Sequence, residues 1–291
     1  MSSYDLVERI DGERGGFADV WRAVRREDRL EFAVKMLRDF RNPDARHRFE
    51  REVRQMVSYG HGAIIKIVEY NLTTHQPFYV MGLMRGGCLS AWAGRLPMEN
   101  CRRVIVILAD CLAYLHGRNA LHRDMKLDNV LVDAKGNIAV GDFGLGNDPR
   151  CTVMFTVSAV GTPGHVAPEL WNGTGMASPA SDVFSLGATI FHLLTGTHPR
   201  LAASLDPWSI NRAIPQSLRD LVVVMCQEDP RARPSARGVA AAARTLSLRI
   251  ASRPNPQPRA PSVADVLAPL AVGAIAIAGV FGLATLFSKN A

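Results

Sequence analysis

The stretch HRDMKLDN, residues 122–129, crowds His122, Arg123, Asp124, Lys126, Asp128 and Asn129 into eight positions. Upstream of it Val104, Ile107, Leu108, Cys111, Leu112 and Leu115 recur at helical spacing and form one apolar stripe. Downstream, Val183, Leu186, Ile190, Leu193 and Leu194 repeat that pattern in a second helix. Ahead of residue 98 the period changes. Residues 4–36 alternate apolar and polar around Gly and Asp, as strands and hairpins do, and FYVM at 78–81 reads as another short strand. A strand-rich front and a helical back predict an α+β chain with two lobes. No internal repeat is evident.

Two further strings accompany the first: DFG at 142–144, which begins thirteen residues after Asn129, and APE at 167–169. Each alone is a weak match. In this order and spacing they resemble the eukaryotic-type (Hanks-type) serine/threonine protein kinases, over nearly all of residues 4–245. The resemblance implies a two-lobed kinase fold over 1–245, with a small antiparallel β lobe over about 1–84 and a helical lobe over about 85–245, ATP as phosphate donor, Mg²⁺ or Mn²⁺ as the ion, and Ser or Thr of other proteins as acceptor. Phosphoryl transfer passes through a loose transition state, so positioning and charge stabilisation carry most of the catalysis. A hard cation requires oxygen ligands, and the match gives that role to Asn129 and Asp142. Asp124 would accept a hydrogen bond from the substrate hydroxyl and take its proton. Lys126 would steady the γ-phosphate, and a Lys at this place resembles the Ser/Thr branch.

FAVK at 32–35 resembles the third strand of the small lobe, with Lys35 on the α- and β-phosphates and a Glu of the next helix as its partner. Glu50 and Glu52 flank the apolar face of Phe49, Val53, Met56 and Val57 on opposite sides, so periodicity does not choose between them. RFEREV resembles the family pattern in which the second Glu, Glu52, is the partner. GERGGFADV at 12–20 resembles the phosphate-cradling loop, where glycines let backbone N–H groups approach the phosphates. The family has three glycines. Counting back from Val20, Glu13 stands at the first, Gly15 at the second and Ala18 at the third, with Gly12 and Gly16 beside them. Phe17 would cap the phosphates, and Val20 and Ala33 would sandwich the adenine. In YVMGLMRGGCL at 79–89, which resembles the hinge, Met81 is the gatekeeper and the backbones of Gly82 and Met84 would bond the adenine. The altered glycine loop leaves a pseudokinase or scaffold that binds nucleotide without efficient catalysis as the alternative.

The activation segment would run over 142–169. TVSAVGTPGHVAPE resembles the bacterial membrane kinases, with Thr156 at the autophosphorylation position and Thr162 on the substrate platform beside Asp124 and Lys126. Arg123 would pair with a phosphate on this segment. In SDVFSLG at 181–187, Asp182 sits at a helix start, where it can cap the helix and also hold the catalytic loop. In DPRARPS at 229–235, Arg233 would form a buried ion pair with Glu169.

Composition narrows the alternatives. Of 291 residues 47% are apolar, enough for a sizeable core without disulfides. The five cysteines, Cys88, Cys101, Cys111, Cys151 and Cys226, are odd in number and widely spaced, which argues against a disulfide framework or a zinc site. The net charge of +7 is spread along the chain, and no helix gathers Lys and Arg on one face as nucleic-acid binding needs. The N-terminus has no apolar h-region of a secretory signal. Residues 246–265 read as an extended linker, whose 246–262 portion holds four prolines and three arginines. Residues 266–287 carry no charged side chain in 22 positions and as a helix would span roughly 33 Å, enough to cross a bilayer. Arg249, Arg253 and Arg259 precede this segment and Lys289 follows it, which predicts a tail-anchored chain with the kinase-like part on the cytoplasmic face. Expected partners are protein substrates, membrane lipid around the C-terminal helix, and a second copy for phosphorylation of one copy by another.

Overall fold

In the computed structural model, which describes residues 3–10, 18–143, 164–171 and 176–248, the alternating front of the chain forms β1 (Tyr4–Arg9), β2 (Ala18–Arg25), β3 (Glu31–Leu37), β4 (Ile67–Asn71) and β5 (Phe78–Gly82). These pair antiparallel in the order β1-β2-β3-β5-β4. The register sets Lys35 between Val20 on β2 and Tyr79 on β5, and Ala33 opposite Met81. Successive side chains of a strand take opposite faces. Val34 and Met36 therefore pack with Tyr4, Phe78 and Val80 on one side of the sheet, while Ala33, Leu37, Tyr79 and Met81 join the main core on the other.

Helix α1 (Pro43–Ser58) follows β3, opened by Pro43 and by the Asn42 side chain, which accepts from the Asp44 and Ala45 amides at 3.0 and 3.2 Å. Its buried residues are Ala45, Phe49, Glu52, Val53 and Met56. Val57, expected on the apolar face, is instead 51% exposed. At about 100° per residue it falls roughly a quarter turn from the middle of the stripe that the other five define, past its edge at Val53.

The second lobe is built on α2 (Met98–His116), α3 (Pro168–Trp171), α4 (Pro179–Thr195), α5 (Gln216–Met225) and α6 (Ala236–Thr245). It also holds a small antiparallel sheet, β6 (Gly87–Cys88), β7 (Val130–Val132) and β8 (Ile138–Val140). Strands of two or three residues are too short to show an alternation in sequence. Helix α4 is buried nearly all round, so it forms the axis of this lobe. Its cap is Ser178, in a reciprocal capping box with Ser181, and not Asp182. Asp182 lies inside the first turn, too late to cap. Two backbone bonds tie the lobes behind the cleft: Ile65 N–H to the Val140 carbonyl at 3.1 Å, and Val140 N–H to the Ala63 carbonyl at 2.7 Å. They carry Gly141 and Asp142, just beyond β8, toward Lys35.

Among the described residues no helix is long and apolar enough to cross a membrane. The 266–287 segment and all of the linker beyond residue 248 lie outside the described residues, as do Gly12, Gly15, Gly16, Phe17, Thr156 and Thr162.

Candidate active site

The polar loop at 122–129 is held from below by α4. The Asp182 carboxylate accepts from the backbone amides of His122 and Arg123 at 2.9 and 2.8 Å, and the His116 ring meets it at 2.9 Å. Thr189 Oγ1 donates to the Met125 carbonyl at 2.9 Å. Two non-glycine residues here adopt left-handed backbone, Arg123 at φ 67° and Asp142 at φ 59°. Such conformations cost about 1–3 kcal/mol each and persist only where surroundings enforce them; for Arg123 the Asp182 anchor is that enforcement. His122 is fully buried against Phe143, ring centroids 5.0 Å apart. Burial depresses its proton affinity, so the ring stays neutral.

With the loop fixed, Asp124 Oδ2 lies 2.6 Å from Lys126 Nζ and 3.0 Å from Asn129 Nδ2, and that same amide nitrogen donates to the Asp124 carbonyl at 2.8 Å. The Asn129 amide nitrogen is thereby committed, and its Oδ1 is left as the atom able to ligate. Across the cleft, Lys35 Nζ meets Glu52 Oε1 at 2.7 Å and Asp142 Oδ1 at 3.7 Å. The ambiguity between the two glutamates resolves here, because Glu52 is wholly buried under β3 while Glu50 pairs with Arg46 at 3.2 Å. Burial alone would discharge Lys35. Glu52, with Tyr79 and Asp142 behind it, holds the ammonium well above its ordinary range. The Glu52 carboxyl is itself raised, since burial outweighs the pull of Lys35.

These side chains share one cleft of about 910 Å³. Val20, Ala33, Met81, Gly82 and Met84 line its apolar end, and Lys35, Lys126, Asn129 and Asp142 its polar end. Asp124 reaches it through Lys126 and Asn129. The volume falls in the range of small-molecule sites, which are mostly apolar with a few placed polar groups. The donor set suits a divalent ion of the magnesium type: two oxygen ligands, Asn129 Oδ1 and the half-exposed Asp142 carboxylate, leave most positions for water and phosphate. Among the described residues no three His, Cys, Asp or Glu gather into an all-protein metal cage.

The outer ties lie below this cleft. Arg233 Nη1 and Nη2 clamp Glu169 Oε1 and Oε2, each at 2.8 Å, with no Arg233 side-chain surface exposed. Sequence reading missed three groups: Tyr79, whose hydroxyl donates to Glu52 Oε1 at 2.9 Å, and His116 and Thr189, which buttress the loop. Each acts through a contact distant in sequence, for which no local pattern exists.

A cluster of three histidines lies where the chain returns at Gly164. His165 and His192 each stand 5.3 Å from His198, centroid to centroid. His165 is buried and neither ring nitrogen has a hydrogen-bond partner among the described residues. Burial first, then the neighbouring histidines, push its pKa down to about 3. The unfolded chain therefore takes up a proton below pH 6.5 that the folded chain refuses, and stability falls as pH drops from 6.5 toward 3. His165 alone should remove about 1.4 kcal/mol between pH 8 and 5.5. Urea titrations at both values should show this loss, and His165→Phe should abolish that share of it.

A family model described as "Protein kinase domain" matches residues 8–243. The chain is 39% identical over 152 residues to CBL-interacting serine/threonine-protein kinase 21 of Arabidopsis thaliana, covering 52% of this chain and 36% of that protein. It is 31% identical over 271 residues to CBL-interacting serine/threonine-protein kinase 1 of the same plant, covering 89% and 56%. It is 30% identical over 251 residues to serine/threonine-protein kinase PrkC of Bacillus subtilis (strain 168), covering 78% and 38%. The chain thus spans between about a third and just over half the length of these relatives.

Proposed function

Because this chain belongs to the protein kinase family, we propose that it transfers the γ-phosphate of ATP to Ser and Thr hydroxyls of proteins, its own activation segment among them. The observation that carries the reading is the convergence on one cleft of Lys35, tied to Glu52, with Asn129, Asp142 and the Asp124–Lys126 pair. Adenine lies between Val20 and Ala33, against Met81 and the backbones of Gly82 and Met84. Lys35 takes the α- and β-phosphate charge, and Glu52 fixes where its ammonium points. Asp124 orients the acceptor hydroxyl and receives its proton, while Lys126 stands over the transferred group. Asn129 Oδ1 and Asp142 would hold Mg²⁺, or Mn²⁺, which screens the triphosphate when bound. By the family resemblance Arg123 would pair with a phosphate on the activation segment, with Thr156 as the autophosphorylation position and Thr162 as part of the substrate platform.

The test is to incubate the whole protein with γ-labelled ATP and Mg²⁺ and hydrolyse it in acid. Label recovered as phosphoserine and phosphothreonine is expected. Nucleotide bound with no label transferred would favour the non-catalytic alternative.

The proposal extends to the uncharged 266–287 segment as a membrane anchor, with the preceding arginines on the cytoplasmic side. Confinement to a surface raises the local concentration of neighbouring copies. A chain ending near residue 245 should stay soluble and autophosphorylate with a steeper dependence on its own concentration than the membrane-bound form. Equal dependence would overturn the anchoring role.

A further inference from the structure

We propose that Tyr79 is a positioning residue, which latches α1 to the sheet by donating its hydroxyl hydrogen to Glu52 and so keeps Glu52 in place when Lys35 turns to a bound nucleotide. The proposal rests on the kinase reading above for its catalytic consequence, and on geometry alone for the latch.

Tyr79 stands directly opposite Lys35 in the β3–β5 register. Its Oη donates to Glu52 Oε1 at 2.9 Å, the same oxygen that Lys35 Nζ approaches at 2.7 Å. One carboxylate oxygen thus receives donors from two adjacent strands. The other, Oε2, is buried without a hydrogen-bond partner among the described residues. Compensation of this buried carboxylate is therefore concentrated at Oε1, where loss of either donor should be felt. The charged groups around it are Lys35 on β3 and Asp142 beyond β8. Asp142 draws on Lys35 from 3.7 Å, and a triphosphate would draw on it further, loosening its hold on Glu52. Among the described residues the Tyr79 hydroxyl bonds only to Glu52.

The ring of Tyr79 is fixed independently of its hydroxyl. It is buried, packs on Phe49 one turn before Glu52 with centroids 5.5 Å apart, and lies 5.8 Å from Lys35 Nζ. Tyr79→Phe keeps that packing and removes only the hydrogen bond.

Two readouts on the whole protein test the proposal. In hydrogen exchange without nucleotide, Tyr79→Phe should speed the amides of α1 by about tenfold, a factor that corresponds to about 1.4 kcal/mol, while β5 stays protected. In steady-state kinetics kcat should fall by about tenfold with KM for ATP changed less than about threefold, because the adenine pocket is untouched. Both effects should vanish on a Glu52→Met background, since groups that act through one another are not additive. Glu52→Asp, which withdraws the carboxylate by one methylene, serves if Glu52→Met does not fold. Unchanged α1 exchange in Tyr79→Phe, an unchanged kcat in an active protein, or a full effect on the Glu52 background would each overturn the latch. Absence of turnover in the unmodified chain would sink the kinase reading and leave the exchange result to decide the latch.

Discussion

Asp124→Asn should lower kcat for phosphotransfer by about 10²–10⁴-fold, the usual contribution of a positioned general base. The substitution is close to isosteric, and an amide oxygen can still accept from Lys126 and Asn129, which now sit 2.6 and 3.0 Å from Asp124 Oδ2. What it lacks is the basicity to orient a hydroxyl and accept its proton as the new bond forms. KM for ATP should stay within about threefold, because Asp124 is not among the residues that line the nucleotide cleft. Thermal stability should also hold, since the loop hangs from Asp182 and Thr189 and not from the Asp124 side chain. Single-turnover transfer from γ-labelled ATP to a Ser/Thr peptide measures the effect. A loss below tenfold would remove Asp124 from the chemistry.

The second large effect is structural. Arg233→Ala should destabilise the protein by about 3–5 kcal/mol, as expected when one partner of a buried pair is removed and the other is left unpaired. Arg233 does more than clamp Glu169. Its Nε, Nη1 and Nη2 also donate to the carbonyls of Gln227, Ala180 and Glu228 at 2.8, 3.1 and 3.1 Å. One guanidinium thus joins α3, the start of α4 and the turn after α5, the frame on which the end of the activation segment rests. The change should appear as a fall of about 10 °C in Tm. The exposed pair Arg26–Asp5, with side chains 60% and 45% accessible, is the internal control: Arg26→Ala should change stability by less than about 1 kcal/mol. Comparable losses at the two sites would show that burial of the Arg233 pair is not what matters.

Periodicity exposes some of this molecule directly. The stripes of α2 and α4 and the alternation over β1–β3 are long enough to show their period, and they locate two lobes. The catalytic loop is visible for a different reason: its polar residues are too dense for a core and too regularly followed by DFG and APE for a surface loop. Legibility ends where a role depends on docking. Glu50 and Glu52 border the same helical stripe, and only the seating of α1 under β3 buries one and leaves the other to Arg46. Val57 shows the same limit, since a stripe read from spacing has soft edges. Asp182 looks like a cap, yet Ser178 holds that position and Asp182 serves the loop, a partner about sixty residues away. Strands β6–β8 have no readable period, and the Tyr79 hydroxyl has no sequence signal beyond its place in an apolar strand.

Magnesium-dependent release of ADP by the whole protein, compared with Lys35→Met and Asp142→Asn separately and together, tests most directly whether the cleft residues act as one phosphotransfer site. Expected is turnover that rises with Mg²⁺, falls by at least about a hundredfold in each single variant, and falls little further in the double variant. Absence of magnesium-dependent turnover under every phosphorylation state of the chain, or losses that multiply in the double variant, would contradict it.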